Sequence, residues 1–107
     1  MKFLFDSGGR HVANLVNDQL HSPSGENVGH FLQAQKIFID MSGNYLGEII
    51  FDNRLMYNRS SAHCAANYGN RGYYPNAGNF GLADNCGAIG KVGGYEEVPL
   101  ERLGQGF

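Results

Sequence analysis

The chain predicts an all-β fold of four pseudo-symmetric β-hairpins, the fourth carrying a Gly/Asn-rich insertion at residues 59–86. Three observations lead there. A five-residue block recurs as "KFLFD", "QLHSP", "KIFID" and "RLMYN", starting at positions 2, 19, 36 and 54. A second block, Gly-x-x-[Val/Leu]-[Ala/Gly]-x-apolar-apolar, appears as "GRHVANLV", "GENVGHFL" and "GNYLGEII" from Gly9, Gly25 and Gly43. Turn-forming residues separate the blocks, and no stretch sustains the 3.6-residue spacing of an amphipathic helix.

The elements follow in order. The first block of each unit opens on a long polar or basic residue, continues with apolar side chains and ends on a turn-former. Each second block is a short apolar run rich in residues that suit a pleated surface. Between the two lie "DSGG", "PSGEN" and "DMSGN", where Gly and Asn tolerate positive φ and Asp closes a turn with its own side chain. Each unit therefore reads as a β-hairpin, and successive units as a meander. A unit of about 17 residues is too short for a helix-pair repeat. The fourth unit begins with "RLMYN" and resumes after the insertion as "AIGKV" at residues 88–92, with Ile89 in the Val/Leu place and Gly90 in the small place. The small position, Ala13, Gly29, Gly47 and Gly90, is where backbones should approach closely. The segment "YEEVPLERL" reads as an edge strand or a tail ending the domain, because Pro99 argues against a central strand. Single hairpins cannot bury an apolar face alone, but four around one axis share a core and leave few open edges.

On "IDMSGNYLGEII", "RLMYN", "AIGKV" and the Asn/Gly-rich stretch before it, the chain resembles the bacterial four-fold β-flower domains. The resemblance covers residues 2–100. It implies four hairpin petals in a single domain spanning residues 1–107, and it brings no catalytic residues.

Bulk properties narrow the function. The 107 residues carry 8 Lys and Arg against 10 Asp and Glu, a formal net charge of −2, which gives no phosphate-binding footprint. No nucleic-acid partner is expected. The opening "MKFLFD" has three consecutive apolar residues, far short of a secretory core segment of roughly 7–15, and no run approaches a membrane span. A cytoplasmic location without membrane contact follows as the expectation. Two cysteines, Cys64 and Cys86, are too few for a disulfide framework, and reduced thiols are the simplest reading; whether they are bridged stays open. No metal and no cofactor is expected. The four histidines lack the spacing of a zinc helix, and neither a nucleophile elbow nor a phosphate loop is present.

The first functional reading is a non-enzymatic module that binds a protein or small ligand through the insertion. Tyr68, Tyr73, Tyr74 and Phe80 supply stacking faces, Arg71 a cation and the asparagines adaptable hydrogen bonds. The alternative is a small enzyme with its site at the pseudo-axis. The residue after each small position is Asn14, His30, Glu48 or Lys91, and a convergence of these would put His30 and Glu48 in acid and base roles. The simplest expectation for this set is a solvent-facing ring, since alternation turns it away from the small residue's side. Lys2, Gln19, Lys36 and Arg54 open the first blocks and read as edge-protecting charges. A homodimer through the insertion or a petal face is a third possibility.

Overall fold

The computed structural model describes residues 1–69, 75–78, 80–90 and 92–104. The predicted hairpin strands form: β1 Lys2–Phe5, β2 His11–Val16, β3 Gln19–His21, β4 Asn27–Leu32, β5 Ile37–Asp40, β6 Tyr45–Ile50 and β7 Arg54–Asn58. An eighth, β8 Tyr95–Glu97, follows the insertion. The sheet runs β1 to β8 in chain order, and a parallel pairing of β1 with β7 closes seven strands into a barrel with β8 added to β7. The closure is short: Phe5 pairs with Arg54, and the Phe5 N–H donates to the Asn53 carbonyl at 2.8 Å.

The repeat consensus acquires a physical meaning here. Its glycine lies in each hairpin turn at positive φ, +89° at Gly9, +96° at Gly25 and +91° at Gly43, a conformation that a side chain opposes. The turns share one wiring. The Gly9, Gly25 and Gly43 amides donate to the carbonyls of Asp6, Ser22 and Asp40, whose side chains accept from the amides of Arg10, Glu26 and Asn44. The [Val/Leu] position is a β-bulge. Register skips Val12 in β1–β2, Val28 in β3–β4 and Leu46 in β5–β6. An extra residue in one strand escapes alternation, and all three are buried in the core cluster. The small position is a close approach: a Cβ on Gly29 would lie 2.2 Å from the Ile39 carbonyl oxygen, and one on Gly47 2.8 Å from that of Met56.

Between hairpins the chain reverses through Asn17–Asp18, both at positive φ as a two-residue type I′ turn requires, and through the three residues between Ile50 and Arg54, of which Phe51 and Asp52 are at positive φ. Leu4, Val12, Leu20, Val28, Phe38, Leu46 and Leu55 meet in one core, one from each barrel strand, and Val98 and Leu103 from the tail complete it.

The fourth unit differs from the expectation. β7 pairs with Tyr95–Glu97, downstream of the expected partner, and no pairing with β7 is present among the described residues of 88–92. A Cβ on Gly90 would meet nothing within 4 Å, and the residue holds φ +78°, so it is not the close-approach glycine of a strand. The tail behaves as expected: β8 is an edge strand and ends before Pro99.

Candidate functional site

After β8, Pro99 cannot extend the ladder, and the chain enters a 3₁₀ turn, Leu100–Leu103. This turn packs Leu103 into the core while the Arg102 guanidinium donates to the Asp40 carboxylate and the Tyr45 carbonyl, both at 3.1 Å. A cleft of about 270 Å³ remains between the turn and the barrel. Val12 and Leu55 form its barrel wall, and Val98, Leu100 and Leu103 its tail wall, while Asp6 and Glu97 bring carboxylates to it. Glu97 is positioned by Ser7, whose amide donates at 3.3 Å and whose hydroxyl also faces the carboxylate. A second cleft of about 260 Å³, walled by Met56, Val92 and Tyr95, shares Glu97 with the first. Apolar walls with a few fixed polar groups are the usual form of a small-ligand site. A carboxylate there favours a ligand with a cation or N–H donors.

Sequence reading placed the binding surface in the insertion. Arg71, Tyr73 and Tyr74 lie outside the described residues. Tyr68 and Phe80 are half-buried against the barrel: the Tyr68 hydroxyl meets His63 Nδ1, and the Phe80 ring stands edge-on to His21 at 5.9 Å. Their main chains are also engaged. The Tyr68, Ala77 and Cys86 amides donate to the carbonyls of Gly43, Gly25 and Gly9, at 2.9, 2.7 and 3.0 Å. Each donor is the middle residue of an Asn-x-Gly triplet, at Asn67, Asn76 and Asn85. Asn67 Nδ2 donates to the Ser42 carbonyl and Asn85 Nδ2 to that of Gly8, while Asn76 Oδ1 accepts from the Asn27 amide. The described insertion is thus a belt pinned to three hairpin turns. The triplets recur every nine residues, a period that hydrophobic patterning does not display.

The pseudo-equivalent polar residues are held as separate pairs. Asn14 Oδ1 accepts from His11 Nε2 at 2.7 Å, His30 Nδ1 meets Gln19 Oε1 at 2.8 Å, and Glu48 Oε1 accepts from the Tyr45 hydroxyl at 2.7 Å. Lys91 lies outside the described residues. Asn14 and His30 are buried rather than solvent-facing, because the belt crosses the face that alternation assigns to water. Among the block-opening residues, Lys2 pairs with Asp52 at 3.1 Å, and buried Arg54 donates to the Asp6 carbonyl at the barrel seam.

Electrostatics follow burial. Desolvation lowers the His21 pKa. Burial, then the hydrogen bond to Glu48, raises Tyr45 well above an ordinary tyrosine. Tyr57 is raised first by its hydrogen bond with the Cys64 thiol and then by burial. Cys64 and Cys86 are free and exposed. Among the described residues, no three His, Cys, Asp or Glu side chains group as a metal site would require, and no helix is long and apolar enough to cross a membrane.

No family model, no curated protein and no solved structure matches this chain.

Proposed function

We propose that the chain is a non-enzymatic binding module that takes a small ligand, or a protein side chain, with an apolar body and a positive end. The cleft at Glu97 carries this reading: a fixed carboxylate beside apolar walls, at the mouth of a barrel whose Asn14, His30 and Glu48 are paired locally. The barrel supplies one wall of the cleft and the tail turn, anchored by Leu103 and Arg102, the other.

The same proposal takes the fold as a four-fold β-flower acting in the cytoplasm. Three hairpins with one turn wiring support the first point, and β7–β8 add a fourth antiparallel pair. The turn after β7 repeats part of that wiring: the Ser61 amide donates to the Asn58 carbonyl, and the Ser60 amide to the Asn58 side chain. Two exposed free thiols suit a reducing compartment.

The test is an NMR titration with cyclohexylmethylamine beside neutral cyclohexylmethanol. The amine should shift the methyl signals of Leu55, Val98 and Leu103, the alcohol should do so weakly, and Glu97→Gln should erase the difference. Equal shifts with both probes, or none at these methyls, would refute the site.

A further inference from the structure

Among the described residues, the barrel holds a buried cation with no acidic partner. Arg54 opens β7 and is 7% exposed, whereas Lys36, in the same place of the preceding unit, is exposed and Lys2 reaches out to Asp52. The Arg54 guanidinium sits at the seam where β1 meets β7. Its Nε donates to Asn53 Oδ1 at 3.2 Å and its Nη1 to the Asp6 carbonyl at 3.0 Å. Both acceptors are neutral. A guanidinium carries five N–H donors and a fixed positive charge, so donors remain on Nη1 and, in full, on Nη2. No Asp or Glu oxygen of the described residues comes within 4.0 Å of the group. The two acids along the seam are engaged elsewhere: Asp6 Oδ1 accepts from the Arg10 amide at 2.9 Å, and Asp52 pairs with Lys2 at 3.1 Å. Nη2 makes no hydrogen bond among the described residues, yet it is not sealed from solvent.

We propose that Arg54 anchors a binding site for a small carboxylic acid anion at the β1–β7 seam. A charge taken out of water is stable only when it is paired and hydrogen-bonded. The remaining donors on Nη1 and Nη2 belong to one rigid planar fork, which matches the two oxygens of a carboxylate. One negative charge neutralises the guanidinium. A dianion such as hydrogen phosphate would add an excess charge to a seam that already carries the Asp6 and Asp52 carboxylates, so the site favours a carboxylate over phosphate. With 7% of the residue exposed, the opening suits the head of a small acid and not a protein surface. Occupancy also bears on the barrel. The two acceptors of the guanidinium lie on opposite sides of the closure, Asp6 after β1 and Asn53 before β7, and the Phe5 N–H donates to the Asn53 carbonyl at the same place. The anion recognises an arrangement that exists only when β1 and β7 meet, so it stabilises the closed barrel. Arg54 does not line the Glu97 cleft, and the site stands without the cation-binding reading of that cleft.

The experiment is an NMR titration of the ¹⁵N-labelled protein with sodium acetate, beside sodium chloride at equal ionic strength and beside inorganic phosphate. The Arg54 Nε–H signal should move saturably with acetate. The signals of Arg59 and Arg102, which already face Glu96 and Asp40, should not. Chloride should leave Arg54 in place, and phosphate should bind more weakly than acetate. At acetate ten times its half-saturating concentration, the unfolding constant measured in urea should fall about tenfold. Arg54→Met keeps an unbranched side chain without the fork and should lose that tenfold response. A guanidinium that only bridges Asp6 and Asn53 gives no saturable shift. An Arg54 signal that stays flat or drifts linearly with acetate, phosphate binding as tight as acetate, or an acetate response that survives in Arg54→Met would overturn the site. Should the variant fail to fold, the titrations of the unaltered chain decide.

Discussion

Gly29→Ala tests how closely β4 and β5 approach each other. Gly29 lies on β4 opposite Asp40 of β5, and a Cβ there would stand 2.2 Å from the Ile39 carbonyl oxygen and 3.3 Å from its carbon. Ordinary contact begins near 3.4 Å, so the two strands must part by about an ångström. Both atoms that collide belong to ladder segments and cannot rotate away as a side-chain end would. Overpacking typically costs about 1–3 kcal/mol, and each ladder hydrogen bond stretched beyond use adds about 1 kcal/mol. The sum is about 2–4 kcal/mol, a large share of the roughly 5–15 kcal/mol that holds a domain of this size. In urea, with a slope of about 1–3 kcal/mol per molar, the midpoint should drop by about 2 M. Gly93→Ala is the control, since its Cβ would meet nothing within 4 Å and its φ is not in the left-handed region; it should hold or slightly raise the midpoint. A Gly29→Ala midpoint matching that of the unaltered chain would refute the close-approach reading of the small position.

Other perturbations have equally definite outcomes. The raised Tyr45 favours the folded state while the phenol stays protonated, so unfolding free energy should fall as pH climbs past about 10, where an unfolded tyrosine ionises; Tyr45→Phe should remove that alkaline slope. The same substitution strands Glu48 and the Asn58 amide, which accept from and donate to the hydroxyl, and should lower stability by about 1–3 kcal/mol in urea melts. Phe51 is 66% exposed at φ +48° in the β6–β7 reversal, a left-handed conformation that suits Asn far better. Phe51→Asn should raise stability by about 1 kcal/mol, read as a melting point about 4 °C higher. Asn85→Ala removes the bonds to the Gly8 carbonyl and from the Gly87 amide, and should speed exchange at Cys86 while leaving Tyr68 protected.

The hairpins were legible because one consensus repeats with its physical causes intact. Gly9, Gly25 and Gly43 must turn at positive φ, Val12, Val28 and Leu46 must bulge inward, and Gly29 and Gly47 must make room for a carbonyl. The fourth unit was misplaced because "AIGKV" matches the apolar spacing, while the strand that pairs with β7 does not. A signal was present: Gly93-Gly94-Tyr95 matches Gly43-Asn44-Tyr45, the entry to β6. The buried state of Asn14, His21 and His30 was beyond the alternation rule, which treats the outer face of a lone sheet as wet. Only the nine-residue Asn-x-Gly rhythm announces a second layer over that face. The Glu97 cleft was also hidden, because its walls come from β2, β7 and the tail, which no local pattern joins.

The order of the belt's pins also bears on how the chain reaches its final state. Tyr68 reaches back to Gly43, Ala77 to Gly25 and Cys86 to Gly9, so the belt retraces the hairpins in reverse order of synthesis. Made alone, the last contact would close a very long loop. With its predecessor in place, only nine residues of belt and sixteen of barrel separate the partners. By the logarithmic cost of loop closure, this saves about 1 kcal/mol at that step. Assembly of the belt is therefore a zipper that starts beside β6 and runs toward the N-terminus, each tooth shortening the search for the next. The earliest hairpin to leave the ribosome is the last to be fastened.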